Sequence, residues 1–404
     1  MKSESSHLFG AILLVAGSCI GAGMLGLPVL SALAGFKPSI LMFILCWLFM
    51  LSTGLLLLEV NLWFKDETNL TTLVERTLGN FGKNVAGFVF LFLFYCLMVA
   101  YSSASGELFA DFFRELTPFT IPNASGSLIM VSLFGLMIYL GTEAVDKLNR
   151  LLMLGLVISY FLLLFLGAPH VDSENLKTAN FEALLLVVPA MIISFGFHNL
   201  IPSLTTYLKH DSKKLKLVFI LGSVIPLIIY IAWEWLLLGL IPLHGEAGFK
   251  EAMLHGDLAT NVLKSNIGGS LVVDLAQYFA FFAIVTSFLG VSLSFVDFLA
   301  DCLHIKKTAK GKCFLSVLAL GPPLILSLLY PKIFLLALNY AGSFGAVVLF
   351  GILPALMVWY GRYVKKIDTI RIVPGGRIML SLILLISVAV IILQLTQDLI
   401  HHVS

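Results

Sequence analysis

Charged residues are scarce in this sequence of 404 amino acids. Lys, Arg, Asp and Glu together make up 12% of it, whereas hydrophobic residues make up 59%. Soluble domains carry about 25% charged residues. This shortage excludes an ordinary soluble protein and predicts a protein that crosses a membrane several times.

Cysteine is also rare, and the usual motifs of enzymes are missing. The five cysteines lie in or beside apolar segments, without a CxxC pair or Cys/His spacing, so we expect neither disulfides nor a zinc site. No GxSxG, HExxH or Walker A motif is present. We therefore predict no enzymatic activity, no cofactor, no bound metal and no nucleic-acid partner.

Long apolar segments account for most of the chain. A membrane-spanning helix needs about 20 mostly apolar residues. The first run is too long for a cleavable signal peptide. The connection 243–270 is rich in glycine, and we expect it to be irregular with at most one short helix. Eleven spans are predicted, at 8–35, 38–63, 84–110, 126–142, 148–168, 182–208, 215–242, 271–302, 313–330, 333–361 and 377–398.

The distribution of basic residues predicts the orientation. An odd number of spans puts the two termini on opposite faces. With the N-terminus inside, the inner connections hold most of the 25 Lys and Arg residues. The positive-inside rule therefore predicts a cytoplasmic N-terminus and a periplasmic C-terminus.

The first span contains three glycines within seven positions. Glycine costs a helix interior roughly 1 kcal/mol relative to alanine, so we predict an interrupted helix. At membrane depth the freed backbone groups need a cavity, a ligand or a neighbouring helix. Close helix packing is the alternative, because Gly17-x-x-x-Gly21 is also a small-xxx-small motif. The candidate binding residues here are Gly17, Ser18, Ile20, Gly21, Ala22 and Gly23.

The sixth span contains a second interruption. Two prolines, Pro189 and Pro202, flank a glycine and a polar Ser/His/Asn set inside a hydrophobic run. Paired breaks in corresponding places of two halves are typical of inverted-repeat transporters. We predict one domain over 1–404, with repeats at about 8–168 and 182–361 and an extra helix at 377–398. The candidate binding residues here are Ser194, Phe195, Gly196, Phe197 and His198.

The two breaks together predict a site for a zwitterion. The outer half of span 1 begins near residues 21–23 and directs backbone N–H groups and a positive dipole end at the break, which suits a carboxylate. Carbonyl groups near Gly17, Ser18, Ser194 and Phe195 would suit an ammonium group or a cation. An α-amino acid carries both groups.

Several side chains have both a functional and a structural interpretation. His198 could carry a proton or contact substrate, or could be a buried, hydrogen-bonded histidine. Phe195 and Phe197 could flank an aromatic substrate, and the hydroxyl of Tyr101 could cap its carboxylate. Packing is the alternative for all three.

Ion coupling has its own candidates. Thr286 and Ser287 in span 8 could bind a hard cation or merely bond within their helix. The intramembrane carboxylates of Asp297 and Glu59 are candidate proton carriers, although both lie near span ends. Glu107 and Glu234 raise the same question; we expect Glu107 to extend outward and Glu234, between two tryptophans, to be an interfacial anchor.

Three motifs resemble those of the bacterial aromatic amino acid permeases, within the amino acid/polyamine/organocation superfamily, and most closely the tyrosine/tryptophan branch. The motifs are Gly21-Ala22-Gly23-Met24-Leu25-Gly26-Leu27-Pro28, the run from Ser194 to Leu204, and the run from Thr286 to Leu293 with Asp297-Phe298-Leu299-Ala300-Asp301. The resemblance covers the whole chain. It implies the five-plus-five inverted-repeat fold of leucine-transporter type, a central site between broken helices 1 and 6, and proton-coupled uptake. Ala283 with Thr286 and Ser287 also resembles the sodium site of sodium-coupled relatives, in which a carbonyl and two hydroxyls join carbonyls of span 1.

These observations lead to one functional expectation. We expect a bacterial inner-membrane symporter that imports tyrosine, tryptophan or phenylalanine by alternating access, with spans 1, 2, 6 and 7 rocking against spans 3, 4, 8 and 9. The coupling ion would be H+, with Na+ as the alternative. A channel would need a continuous polar pore and a receptor a sensory region, and the sequence has neither. It leaves open the preferred amino acid and the oligomeric state.

Overall fold

The computed structural model describes residues 2–64, 66, 69–116, 121–267, 271–367 and 371–403. All regular structure in this part of the chain is helical. Ten helices are long and apolar enough to cross a membrane, and a helix pair bent by 54° forms an eleventh candidate. The prediction of an all-α, polytopic membrane protein is therefore confirmed.

The spans follow the predicted order. We number them from 1 to 11 along the chain. They are Lys2–Cys19 with Gly23–Ser31 (span 1), Phe36–Leu62 (span 2), Leu70–Leu116 with a kink at Gly79 (span 3), Asn123–Leu140 (span 4), Thr142–Gly167 (span 5), Val188–Ser194 with Ile201–Tyr207 (span 6), Ser212–Leu240 (span 7), Leu271–Leu303 (span 8), Ala309–Leu329 (span 9), Phe334–Tyr340 continuing to Tyr360–Val364 (span 10), and Gly376–Val403 (span 11).

The spans differ in how far other helices enclose them. Spans 6 and 10 are largely buried, whereas most of span 11 lies on the surface. Span 5 presents Phe161 and Phe165 outward, as expected of side chains that face lipid. The irregular backbone of span 6 therefore lies in the enclosed centre of the bundle.

Four contacts between spans define the packing. Span 5 packs along span 8, and span 3 packs along span 10. Span 1 packs along span 7, and span 2 contacts both halves of span 6. Spans 2 and 7 also pack on each other, and the second half of span 1 contacts the first half of span 6, so this arrangement brings the two breaks together.

The connection between spans 7 and 8 is more ordered than we expected. It contains two short helices, Phe249–His255 and Ala259–Ile267, so the expectation of at most one helix was wrong. The reason is burial: Phe249 in the first helix and Val262 and Leu263 in the second are enclosed by the bundle. Both helices pack on the second half of span 1.

A buried ion pair joins the ends of spans 2 and 10. The guanidinium of Arg362 donates from Nε and Nη2 to the two carboxylate oxygens of Glu59, at 2.7 and 2.6 Å. The side chains are only 4% and 1% exposed. The backbone N–H of Ile372 also donates to Glu59, and Arg362 donates to the carbonyl of Val373. These hydrogen bonds join residues of different elements. The ion pair therefore ties spans 2 and 10 to the segment that leads into span 11.

Removing one partner of this pair should destabilise the protein strongly. In Arg362→Met the carboxylate of Glu59 would stay buried without its cation, at a cost of about 3–5 kcal/mol. We expect a clear fall in the melting temperature of the detergent-solubilised protein. Fluorescence-detected gel filtration after heating measures this temperature. The double variant Glu59→Met/Arg362→Met should recover most of that loss. Arg150→Met, which breaks an exposed pair with Asp146, is the control and should change stability by less than about 1 kcal/mol. A melting temperature for Arg362→Met equal to that of the control would contradict the expectation.

Candidate functional site

Span 1 is broken where its glycines predict. Its first helix ends at Cys19 and its second begins at Gly23, with a bend of 54° between them. Within the break, the backbone N–H of Ala22 donates to the hydroxyl of Ser287 at 2.8 Å. The start of the second half-helix therefore presents a backbone donor to span 8.

Span 6 is also broken near the middle of its sequence. Its first helix ends at Ser194, a short 3-10 turn covers His198–Leu200, and a second helix begins at Ile201. Pro189 and Pro202 each lie near the start of one of these helices, where proline is well tolerated. The prediction of a second interruption is confirmed.

Tyr230 of span 7 links the two breaks. Its hydroxyl lies 2.5 Å from the carbonyl oxygen of Cys19 and 2.8 Å from that of Ser194. Each carbonyl lies at the end of a first half-helix, where backbone acceptors are left without an intrahelical partner. Span 1 and span 6 also approach closely beyond this bridge, since a Cβ built on Gly23 would lie 3.2 Å from the hydroxyl of Ser194.

Tyr230 was missed by the sequence reasoning. A single tyrosine in the middle of an apolar span carries little information by itself. Only the fold shows that it faces both breaks. The phenol of Tyr101 lies near enough to Tyr230 for the two to interact electrostatically, which brings the predicted Tyr101 to the same region.

The two phenylalanines of span 6 have different surroundings. Phe195 is fully buried and packs edge-on against Tyr230, with ring centres 5.2 Å apart, and against Phe43. Phe197 instead stacks on Phe219 of span 7, with ring centres 5.6 Å apart. Of the two, Phe195 borders the breaks directly.

His198 is wholly buried beside the break in span 6. Its Nε2 atom lies 3.0 Å from the hydroxyl of Thr53 in span 2, and its ring stacks on Phe350 of span 10 at 4.7 Å. Its Nδ1 atom has no hydrogen-bond partner within the described part of the chain. The histidine therefore contacts spans 2 and 10 and keeps one nitrogen unused.

The candidates in span 8 divide into two groups. Ser287 reaches the break in span 1 through Ala22. The hydroxyl of Thr286 donates back to the carbonyl of Phe282 at 2.7 Å, within its own helix. Ala283 is fully buried, and its carbonyl lies 3.2 Å from the same hydroxyl of Thr286.

Other predicted residues lie away from the meeting point of the breaks. Glu59 is held by Arg362, and Asp297 forms an ion pair with Lys307 at 2.7 Å in which both side chains are about half exposed. In span 1 the hydroxyl of Ser18 donates to the carbonyl of Val15, in its own helix. Gly17 faces Met153 of span 5. Ile20, by contrast, lies within the break of span 1 and is partly buried.

Of the remaining two carboxylates, Glu234 departs from expectation. It was expected to be an interfacial anchor, but it is fully buried and accepts a hydrogen bond from Ser31 at 2.7 Å. The close packing of span 7 on the second half of span 1 encloses it. Glu107 accepts a hydrogen bond from Asn261 in the connection between spans 7 and 8, in keeping with the expectation that it extends towards that connection.

No group of three or more His, Cys, Asp or Glu side chains that could hold a metal ion occurs in the described ranges. The arrangement instead offers backbone and hydroxyl groups in the interior of a membrane-spanning bundle, beside aromatic rings. Two interrupted helices with such groups at their ends are typical of membrane transporters, which bind a small polar solute at membrane depth.

Comparison with known proteins identifies the family. The chain belongs to the tryptophan/tyrosine permease family, whose profile matches residues 4–394. It is 32% identical to tyrosine-specific transport system 1 of Haemophilus influenzae, with 94% of each chain covered. It is 30% identical to the tryptophan-specific transport protein of the same organism, with 99% of this chain and 98% of the relative covered. The low affinity tryptophan permease of Escherichia coli is also 30% identical, over 97% and 96% of the two chains. The chain is thus a multi-pass membrane permease and not an enzyme.

The contact between Gly21 and Ser287 gives a test of the break. A Cβ built on Gly21 would lie 2.3 Å from the hydroxyl oxygen of Ser287, whereas one on Gly17 would meet only the end of Met153 at 3.6 Å. We expect Gly21→Ala to lower transport at least tenfold because it forces Ser287 away from Ala22. Gly17→Ala is the matched control in the same span and should retain most activity.

The measurement is initial uptake in proteoliposomes, normalised to the amount of protein inserted. The double variant Gly21→Ala/Ser287→Ala should be less impaired than the product of the two single effects, because removal of the Ser287 hydroxyl relieves the clash. Equal activity of Gly21→Ala and Gly17→Ala would show that the two glycines serve helix packing alike.

Proposed function

We propose that this permease is a secondary active symporter that imports tyrosine or tryptophan by alternating access, driven by protons. The observation that carries the proposal is the meeting of the two broken helices at Tyr230 and Ser287. The names of the relatives support an aromatic substrate, since they are tyrosine-specific or tryptophan-specific. Phenylalanine, which shares the aromatic side chain, is a further candidate.

The site has groups for both ends of an amino acid. The substrate carboxylate would bind at residues 21–23, where it would take the place of the Ser287 hydroxyl on the N–H of Ala22. The ammonium group would bind the carbonyl oxygens of Cys19 and Ser194, in place of the Tyr230 hydroxyl. Because these are backbone groups at helix ends, they carry partial charges without a desolvated ionic side chain. Phe195 would then lie beside the substrate side chain.

The packing of the spans supports an inverted repeat. If spans 1–5 correspond to spans 6–10, the contact of span 5 with span 8 corresponds to that of span 10 with span 3. The contact of span 1 with span 7 likewise corresponds to that of span 6 with span 2. All four contacts occur. A five-plus-five repeat with span 11 as an addition accounts for this pairing, and it would give the two halves opposite orientations in the membrane.

We propose H+ as the coupling ion. In sodium coupling, Ala283, Thr286 and Ser287 would supply oxygen ligands to the ion. The hydroxyl of Thr286 bonds within its helix and that of Ser287 accepts from Ala22, so both have other roles in this structure. The charge distribution of the sequence supports insertion in the bacterial inner membrane with the N-terminus in the cytoplasm.

Uptake into proteoliposomes tests substrate and ion together. We expect saturable uptake of radiolabelled tyrosine or tryptophan under an imposed inward pH gradient, with no requirement for sodium. Lysine at equal concentration, which lacks an aromatic ring and carries an extra charge, is the control substrate and should not compete. Absence of uptake of every aromatic amino acid would refute the substrate assignment. Uptake that requires sodium and ignores the pH gradient would refute proton coupling.

The environment of His198 predicts a change in pH dependence. His198→Ala removes the bond to Thr53 and the stacked ring on Phe350, and it also removes the free Nδ1 beside the break. We expect an altered Michaelis constant or an altered pH profile of uptake. Thr53→Val is the control, because it removes only the hydrogen bond. If His198→Ala keeps the wild-type pH profile and affinity, the histidine serves packing alone.

A further inference from the structure

Glu234 is a buried carboxyl group that has no role in the transport cycle proposed above. It lies one helical turn beyond Tyr230 in span 7 and is 0% exposed. Its Oε2 atom accepts the hydroxyl of Ser31 at 2.7 Å. Its Oε1 atom is also buried and has no hydrogen-bond partner among the described residues.

Glu234 contacts the helix that would hold the substrate. Ser31 is the last residue of the second half of span 1. The neighbouring Trp233 donates its indole N–H to the carbonyl of Met24, near the start of the same half-helix, at 2.9 Å. Span 7 therefore holds this half-helix at both ends, and the contact at Ser31 passes through an ionisable group.

The charge of Glu234 would have no counter-charge. In the interior, span 7 and the helices packed against it carry Tyr160, which donates to the carbonyl of Ile229, Tyr230, which bridges the breaks, and the buried thiol of Cys19. The elements packed against span 7 and the second half of span 1 carry further titratable groups, among them Lys37, Glu59, His170, Asp172, Glu174, Lys177, Glu182, Lys250, Glu251, His255 and Lys264. Six of these are paired elsewhere: Glu59 with Arg362, Lys177 with Glu174, Lys264 with Asp111, and His255 with Glu251. Within the described part of the chain none forms an ion pair with Glu234.

Burial makes the protonation state of Glu234 depend on the position of the second half of span 1. An ionised carboxylate without a partner is costly in the interior of a membrane protein, whereas a protonated one is not. Closing the second half of span 1 on span 7 encloses Glu234, so closure favours the protonated form. When the half-helix moves away, water from the outer side can reach the group and the carboxyl can exchange its proton with that solution.

We propose that Glu234 carries the proton that is co-transported with the amino acid. The carboxylate accepts H+ from the outer solution before the second half of span 1 closes over the bound substrate. After the bundle has reopened inward and the substrate has left, it releases H+ to the cytoplasmic solution through the vacated site at Tyr230, one helical turn away. No bond other than the carboxyl O–H forms or breaks. The inference rests on the proposed proton symport and names the residue that performs it.

Glu234→Gln tests this assignment. The amide keeps the size of the side chain and an oxygen that can accept from Ser31, but it cannot take up a proton. With one proton per substrate, a gradient of one pH unit supports about tenfold accumulation by the wild type. We expect Glu234→Gln to lose this accumulation, to a ratio of about one, and still to exchange internal unlabelled for external labelled substrate.

Glu107→Gln is the matched control. Glu107 also accepts one side-chain hydrogen bond, from Asn261, but it is only partly buried and has charged neighbours of both signs, which are Asp257, Asp111, Lys332 and Lys264. This variant should accumulate substrate as the wild type does. If Glu234→Gln also accumulates substrate as the wild type does, Glu234 is only a structural hydrogen-bond acceptor and the inference is refuted.

Ser31→Ala provides a second test that does not depend on the folding of Glu234→Gln. Loss of the hydroxyl removes the one donor to the carboxylate among the described residues and so favours the protonated form of Glu234. The pH midpoint of uptake should rise by about half to one unit. An unchanged midpoint would overturn the inference. A wild type without any aromatic amino acid uptake, or with sodium-driven uptake alone, would refute the proposed function itself, and this inference with it.

Discussion

The structure depends on one constraint, which is that backbone polar groups inside a membrane need partners. Each broken helix leaves carbonyl and N–H groups unpaired at its interior ends. Here the hydroxyl of Tyr230 meets the carbonyls of Cys19 and Ser194, and the hydroxyl of Ser287 meets the N–H of Ala22. Spans 7 and 8 therefore complete the two breaks. A ligand that brings its own donors and acceptors can compete for the same backbone groups, so the groups that need partners for stability are also those of the proposed binding site.

The need for partners also distinguishes the two buried carboxyl groups, Glu59 and Glu234. Glu59 has a bidentate cation and a backbone donor, so its charge is fully compensated. Glu234 has one neutral hydroxyl. Although both are intramembrane glutamates in the sequence, the first suits a permanent tie between helices, whereas the second suits a group that changes protonation as the helices move.

Much of this arrangement could be predicted from local sequence. The helices follow from apolar length, and the breaks follow from glycine density in span 1 and from the prolines and glycine of span 6. Tyr230 and the Glu59–Arg362 pair could not be predicted, because each depends on residues that meet only after the bundle has packed. Glu234 was misplaced for a related reason: flanking tryptophans are typical of a membrane interface, but Trp233 is itself buried against Met24. Only one of the two helices between spans 7 and 8 was allowed for, because their apolar faces are short and a glycine, Gly256, separates them.

The ion pair at the ends of spans 2 and 10 also constrains how the protein is made. Its partners are 303 residues apart in sequence, which a ribosome needs about 15–60 s to synthesise. During that interval span 2 is already inserted, and the carboxylate of Glu59 has no cation. It must stay hydrated at the membrane surface or take up a proton until Arg362 emerges. The tie between spans 2 and 10 therefore cannot form before span 10 has been synthesised, and it is one of the last contacts available to span 2.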